Sequence, residues 1–196
     1  VFSTRPDTLF GATFLVLAPE HPLAQQLAHG DARETVLAYI AEAVKKSEIE
    51  RTNDTKDKTG VFTGSYVINP ATGERIPIWV ADYVLGGYGT GAVMAVPAHD
   101  ERDAAFAKKY ELPIITVIER PDDDPDTDQC YHGEGVLVNS GAFDGMRSED
   151  AREQIVAWLE QEGRGHAKVT YKMRDWLISR QRYWGAPIPI IHCPEH

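Results

Sequence analysis

The sequence predicts an α+β protein with an antiparallel or mixed β core and helices attached to it. Strand-like segments outnumber helical ones, and several adjoin without the intervening helix that a doubly wound parallel sheet requires. "VFTGSYVINP" (61–70) and "RIPIWVADYVL" (75–85) flank "ATGE" (71–74), which reads as a hairpin. No internal repeat interrupts this pattern.

The chain opens on "VFSTRPDTLFGATF" (1–14), where Ser3, Thr4, Arg5, Asp7, Thr8 and Gly11 gather between apolar flanks. Ser, Thr, Pro and Asp all weaken a helix interior. The stretch is either a strand running into a capped turn or the wall of a polar pocket. "ATFLVLAP" (12–19) reads as a buried strand, and "HPLAQQLAHG" (21–30) as a short helix stopped by Gly30. Val36, Ile40 and Val44 recur at helical spacing within residues 31–51, with Asp31 as N-cap and Glu34 completing a capping box. After the hairpin, "GAVMAVP" (91–97) is strand-like, "DERDAAFAKKY" (100–110) helical, and "LPIITVI" (112–118) strand again. "GVLVNSG" (135–141) is a short strand, and "SEDAREQIVAWLEQEG" (148–163) an amphipathic helix with Ser148 at its cap.

A length of 196 residues, 42% of them hydrophobic and 26% charged, suits one sizeable domain with a real core. No apolar run approaches the ~20 residues that cross a bilayer. Two cysteines, Cys130 and Cys193, make no disulfide framework, so a reducing, cytoplasmic setting is expected. The net charge of −10 argues against a broad nucleic-acid surface but not against a short single-stranded end. "ERPDDDPDTDQ" (119–129) lacks the glycine and terminal glutamate of an EF-hand loop and reads as a solvated acidic run. "HCPEH" (192–196) is half a zinc site at most, so no metal is expected. The chain starts at Val1 in mid-element, and a fragment of a longer protein is expected.

The densest segment is "GGYGTGAVMAVPAHDERD" (86–103). Gly87, Gly89 and Ala92 fit G-x-G-x-x-A, but a dinucleotide fingerprint needs a helix next, and a strand follows. Nucleotide binding is rejected on that ground. Gly89 and Gly91 instead let a backbone or ligand approach closely. Ala92, Met94 and Val96 share one strand face and Val93 and Ala95 the other, with Met94 as core filler or pocket lining. Asp100 suits a helix N-cap and Asp103 the capping-box position three residues on. The functional alternative is that Asp103 presents its carboxylate to a cationic ligand. His99 is a candidate general base, or a loop histidine bonded to backbone.

Three stretches together go further. "STRPDTLFGATFLVLAPEHPL" (3–23), "YGTGAVMAVPAHDERDAAFAKKY" (88–110) and "DWLISRQRYWGAPIPI" (175–190) closely resemble successive segments of bacterial-type leucyl-tRNA synthetase, in the proofreading domain inserted into its class I core. The resemblance spans nearly the whole chain. It implies the class Ia editing-domain fold, a mainly antiparallel β-barrel core with flanking helices. Residues 1–171 would form that domain and 172–196 a truncated return toward the catalytic core. The adenylate-forming signatures HIGH and KMSKS are absent, "KMRD" (172–175) lacking the second lysine, so amino-acid attachment is not expected. Two positions depart from the family: Ser3 stands where threonine is commonest, and Gly86–Gly87 where bulkier residues are frequent.

The resemblance implies hydrolysis of mischarged tRNA(Leu), removing isoleucine, norvaline or methionine while sparing leucine. A pocket separates amino acids differing by one methylene by only ~1–3 kcal/mol, which is why a second, hydrolytic site is needed. Thr4 and Asp103 would act on the ester, Asp103 holding the α-ammonium and Thr4, with Ser3 near it, the ester and attacking water. Thr8 would collide with the γ-branch of leucine. Met94 and Val96 would line the side-chain pocket, Leu85 and Tyr88 cradle the adenine, Arg5 steady the terminal nucleotide, and Asp100 bind substrate beside Asp103. No cofactor is implied for editing, ATP and Mg belonging only to the absent catalytic domain. The implied partners are the 3′ CCA end of tRNA(Leu) and the rest of the synthetase chain, with no membrane and a monomeric state. A tRNA 3′-end docking module without chemistry is the alternative.

Overall fold

Alternation along one short strand organises most of the core. In β1 (Phe14–Leu17) the side chains of Phe14 and Val16 point to one side of the sheet, and Leu15 and Leu17 to the other. The structure is a computed structural model that describes residues 1–51, 57–87, 89–121 and 130–169. Residues 1–166 form one unit, which holds every element below.

β1 runs parallel to β3 (Arg75–Ala81) and antiparallel to β4 (Ala92–Ala95), while β2 (Gly60–Ile68) pairs antiparallel with β3. The spatial order is β2-β3-β1-β4. The sheet is therefore mixed and, among the described residues, open. This corrects the barrel: β2 and β4 remain edges, and the remaining strands, β5 (Ile118–Glu119) and β6 (Val136–Leu137), form a separate two-stranded sheet. A four-strand sheet, two of whose members have only four residues, has too little width to curl back on itself.

One face of the sheet carries Phe14, Val16, Ala81 and Ala95 against α4 (Glu101–Lys109). Phe106 is the hub there. It stacks on Phe14 with centroids 5.3 Å apart and meets Trp79 edge-on at 5.3 Å. Burying each such side chain is worth ~1.5–3 kcal/mol. Tyr110 bonds both the N–H and the carbonyl of Gly60, at 3.1 and 3.0 Å, tying the end of α4 to β2. A Cβ at Gly60 would lie 2.8 Å from the Phe106 ring, so glycine is required for this approach.

The other face packs Leu17, Ile78, Val80 and Ala92 against α1 (Pro22–Gln26) and α2 (Ala32–Ala43). The stripe on α2 is Val36, Ile40 and Ala43, whereas Val44 is exposed, because the helix ends at Ala43 and a separate short helix, α3 (Glu48–Arg51), follows. The expected Asp31–Glu34 capping box is not formed. Asp31 is itself in the right-handed helical region and makes no cap bond, since the carbonyls of His29 and Gly30 already take the N–H groups of Ala32 and Arg33.

A third cluster sits around β5, β6 and α5 (Ser148–Gln161), with Phe10 of the opening stretch stacked on Trp158 at 6.1 Å. The strand expected over 112–118 shrinks to Ile118–Glu119. Part of the backbone there bonds to side chains, His99 accepting from Val117 and Ile118 and Asn139 donating to the Thr116 carbonyl, while the Val117 carbonyl accepts from the Val138 N–H at 3.0 Å. Ser148 is not the cap of α5 either. It is fully buried, and its hydroxyl donates to Glu134 while accepting from the Gly135 N–H.

Candidate functional site

The opening stretch is a turn. Arg-Pro-Asp-Thr leads into a 3-10 helix over Pro6–Gly11, which proline initiates without losing a helical donor. Thr8 is buried, and its hydroxyl and N–H both donate to the Arg5 carbonyl, at 2.9 and 3.2 Å. Ser3 and Thr4 precede the turn and are exposed, with the Ser3 hydroxyl accepting from the Arg5 N–H at 3.1 Å.

Arg5 is fixed. Its Nε and Nη2 donate to the carboxylate of Asp7 at 2.9–3.1 Å, and Nη1 to the His132 carbonyl at 3.1 Å. Asp7 is 0% exposed and also faces Arg152 of α5 at 3.3 Å, while Arg152 reaches Glu134. A carboxylate shared by two guanidinium groups is tolerable in the interior because its charge is fully compensated. The charge of Arg5 is therefore offset by Asp7, and its side chain is 31% exposed.

The second wall is the end of β4 and the start of α4. Asp100 caps the helix, its Oδ1 accepting from the N–H groups of Arg102 and Asp103 at 2.9 and 3.2 Å. Asp103 turns back under the strand end. Its Oδ2 accepts from the Val96 N–H at 2.9 Å, and its Oδ1 from the Tyr83 hydroxyl at 3.0 Å. Burial, followed by the negative charge of Asp100, raises its pKa to about 7. Both bonded partners are neutral, and the guanidinium of Arg102 is paired with Asp100 at 3.3 Å. A group whose folded-state pKa is raised loses its contribution to stability as pH climbs toward that value. Asp103 thus opposes folding at neutral pH, a cost to the fold that a cationic ligand would relieve.

His99 joins these walls and is not a base. Nε2 accepts from the Val117 and Ile118 N–H groups at 3.1 and 3.2 Å, so the ring proton sits on Nδ1, which donates to the Tyr131 carbonyl at 2.7 Å. Burial lowers its pKa. His132 in turn bonds the His99 carbonyl at 2.9 Å, so residues 130–134 stitch Arg5 to the α4 entry. Because the unfolded chain takes up a proton near pH ~6.5 that the folded one resists, His99 gives its full stability above that pH and loses it as pH falls. Wild type is therefore expected to lose more stability than His99→Gln between about pH 7.5 and about pH 5, read from urea midpoints. Equal slopes would show that His99 is not held neutral.

The glycine-rich loop forms the third side. Gly91 has φ +69° and a Cβ there would come 3.4 Å from the Gly86 Cα, so the loop closes on itself. Gly89, with φ +58°, lies against Phe2 of the opening stretch. Arg51 anchors the loop from below, donating to the carbonyls of Asp82 and Val84, each at 2.7 Å, and to Glu20. Leu85 is half-buried, and Tyr88 lies outside the described residues, as do "HCPEH" and the segment 172–196. Val96 is buried beside Gly11 and Met94 half-buried opposite Leu15.

Of the residues singled out in the sequence, Asp100 forms the expected helix cap, while Thr8 and Asp103 are buried with their polar atoms bonded internally. Sequence reasoning missed Asp7, Tyr83, Arg51, Arg152 and His132. Only "RPD" carried a signal, since an Arg two residues before an Asp can close on it across a turn.

The chain matches the family described as "Leucyl-tRNA synthetase, editing domain" over residues 1–160. It is 59% identical to a leucine--tRNA ligase of Rubrobacter xylanophilus over 98% of the chain and 24% of that relative. To a leucine--tRNA ligase of a Synechococcus strain, JA-3-3Ab, it is 57% identical over 100% of the chain and 23% of the relative. Among solved structures, it superposes with a TM-score of 0.68 and 39% identity on the Agrobacterium radiobacter K84 agnB2 LeuRS in a ternary complex with tRNA and LeuAMS, covering 100% of this chain and 21% of that one. The fold is that of an aminoacyl-tRNA synthetase domain. The chain belongs to the leucyl-tRNA synthetase editing-domain family, and it spans about a quarter of the length of the relatives it matches.

Proposed function

We propose that this chain hydrolyses the ester of mischarged tRNA(Leu), removing isoleucine, norvaline or methionine and sparing leucine. The observation that carries the reading is the buried Asp103 carboxylate, held by two neutral donors and, among the described residues, in no salt bridge. Such a group matches the α-ammonium of an aminoacyl ester, which supplies the missing charge. Thr4 and Ser3, both exposed, would hold the ester and its water, and Thr8, Met94 and Val96 would bound the amino-acid side chain. Leu85 and Tyr88 would take the adenine, and the Arg5–Asp7 pair the terminal nucleotide through hydrogen bonding more than through net charge.

An aminoacyl ester is already activated, so placing a water among donors for the developing oxyanion is sufficient chemistry. With His99 engaged at both nitrogens, no side-chain base is assigned. The partners in this reading are the CCA end of tRNA(Leu) and the remainder of a cytoplasmic synthetase. The editing reaction would proceed in a monomer without ATP or metal.

One observation favours the docking alternative: Thr8 and Asp103 both have their polar atoms bonded internally. Incubation with isoleucyl-tRNA(Leu) and leucyl-tRNA(Leu), following release of the amino acid, separates the two. Selective loss of isoleucine is expected, and binding without deacylation would install the docking reading. Among the described residues no group of three or more His, Cys, Asp or Glu side chains is placed to hold a metal. Deacylation is accordingly expected to survive EDTA dialysis, and a rate recovered only on adding zinc would overturn that expectation.

A further inference from the structure

Tyr83 lies just beyond β3 and is 6% exposed, with its ring packed on Phe106 at a centroid distance of 5.7 Å. Its hydroxyl donates to Asp103 Oδ1 at 3.0 Å, opposite the Val96 N–H on Oδ2 at 2.9 Å. We propose that Tyr83 is a positioning residue for Asp103, its phenol fixing the plane of the carboxylate and sustaining its negative charge. The inference rests on the proposed role of Asp103 toward the substrate ammonium.

The two fixed bonds come from different elements, the segment after β3 and the end of β4. Together they leave the carboxylate no free torsion, and its remaining lone pairs point in set directions. A ligand ammonium then meets a pre-oriented acceptor, which is where a positioned hydrogen bond gains most over a mobile one.

The charged surroundings make the phenol necessary. From α4, Asp100 opposes the charge of Asp103, and Arg102 favours it while paired to Asp100. From the 130–134 segment Cys130 adds a thiol whose pKa is raised to about 11, neutral at working pH. From β4 comes only a backbone amide. The Tyr83 hydroxyl is the one side-chain donor in this set aimed at Asp103. Burial and the neighbouring Asp103 charge hold its own pKa well above the usual tyrosine value, so it remains a donor wherever Asp103 titrates.

Tyr83→Phe keeps the ring against Phe106 and removes only the O–H. In the 196-residue chain the Asp103 carboxyl, followed by carbon-13 NMR, is expected to titrate about 0.5–1 unit more alkaline in the variant. The pH profile of isoleucyl-tRNA(Leu) deacylation is expected to move with it, the rate falling at neutral pH and recovering on the alkaline side. A tyrosine that serves packing alone predicts an unmoved Asp103 midpoint, and that result overturns the proposal. Should the midpoint move while wild type hydrolyses nothing, the coupling holds and the editing reading falls. If Tyr83→Phe does not fold, the wild-type Tyr83 ring Cζ resonance serves instead. It is expected to titrate with the Asp103 midpoint, and a pH-independent resonance overturns the proposal.

Discussion

Asp103→Ala is expected to abolish deacylation, a loss of at least about a hundredfold, or ~2.7 kcal/mol of transition-state stabilisation. The ammonium would lose its only proposed charged partner in a site where water compensates poorly. Stability falls too. The Val96 N–H and the Tyr83 hydroxyl each lose their acceptor in the interior, at ~1–3 kcal/mol apiece. That exceeds the cost of losing a helix-capping acid alone. Asp103→Asn separates the two effects, because the amide oxygen still accepts one of these bonds and the volume is kept while the charge is gone. Thermal denaturation should find Asp103→Asn folded, and deacylation should be lost in it as in the alanine variant. A folded Asp103→Asn that still clears isoleucyl-tRNA(Leu) would reduce Asp103 to a structural acid.

Thr8→Ala is expected to make the chain hydrolyse correctly charged leucyl-tRNA(Leu) while still clearing isoleucyl-tRNA(Leu). Relief of a steric clash restores a few kcal/mol to the excluded substrate, and each ~1.4 kcal/mol is a tenfold rate. The structure supplies a control. The Thr8 hydroxyl is occupied by the Arg5 carbonyl at 2.9 Å, and the Thr8 N–H donates to the same oxygen. Removing the hydroxyl should therefore cost only ~0.5–1.5 kcal/mol of stability, without leaving that oxygen orphaned. Thr8→Val keeps the branch and removes the hydroxyl, so it should continue to spare leucine. Thr8→Phe fills the pocket and should block both substrates. Loss of selectivity in Thr8→Val as well as Thr8→Ala would move the discrimination from shape to the hydroxyl bond. Preserved sparing of leucyl-tRNA(Leu) in Thr8→Ala would place the discriminator elsewhere.

The elements most legible in the sequence were those whose pattern is local. The β2–β3 hairpin announces itself through two apolar runs around a polar turn, and α4 through Asp100 followed by Ala104, Phe106 and Ala107. The Asp100 cap is likewise a local bond, formed within three residues. Ser148 and Asp31 carried equally good capping signals and failed, each for a reason lying elsewhere in the chain. Glu134 claims the Ser148 hydroxyl, and the carbonyls of the preceding turn claim the donors that Asp31 would have served. The run 112–118 has a strand's composition, yet side chains of His99 and Asn139 occupy its backbone.

The candidate site divides along the same line. The residue types came from the chain alone: a hydroxyl cluster at Ser3, Thr4 and Thr8, an acid at a helix start, and glycines that permit close approach. Their charge states did not. Asp7 is bridged by Arg5 and, 145 positions further along, by Arg152, while Asp103 depends on a tyrosine hydroxyl from another strand's end. The sequence by itself determined the α+β class, the helices and hairpin, and the inventory of groups, because propensity, periodicity and capping act over a few residues. Only the tertiary structure decided that the sheet stays open among the described residues, that His99 is a neutral tie instead of a base, and that the buried Asp103 carboxylate is held by neutral donors. Desolvation and long-range hydrogen bonding set those outcomes, and both depend on which distant segments fold against a residue.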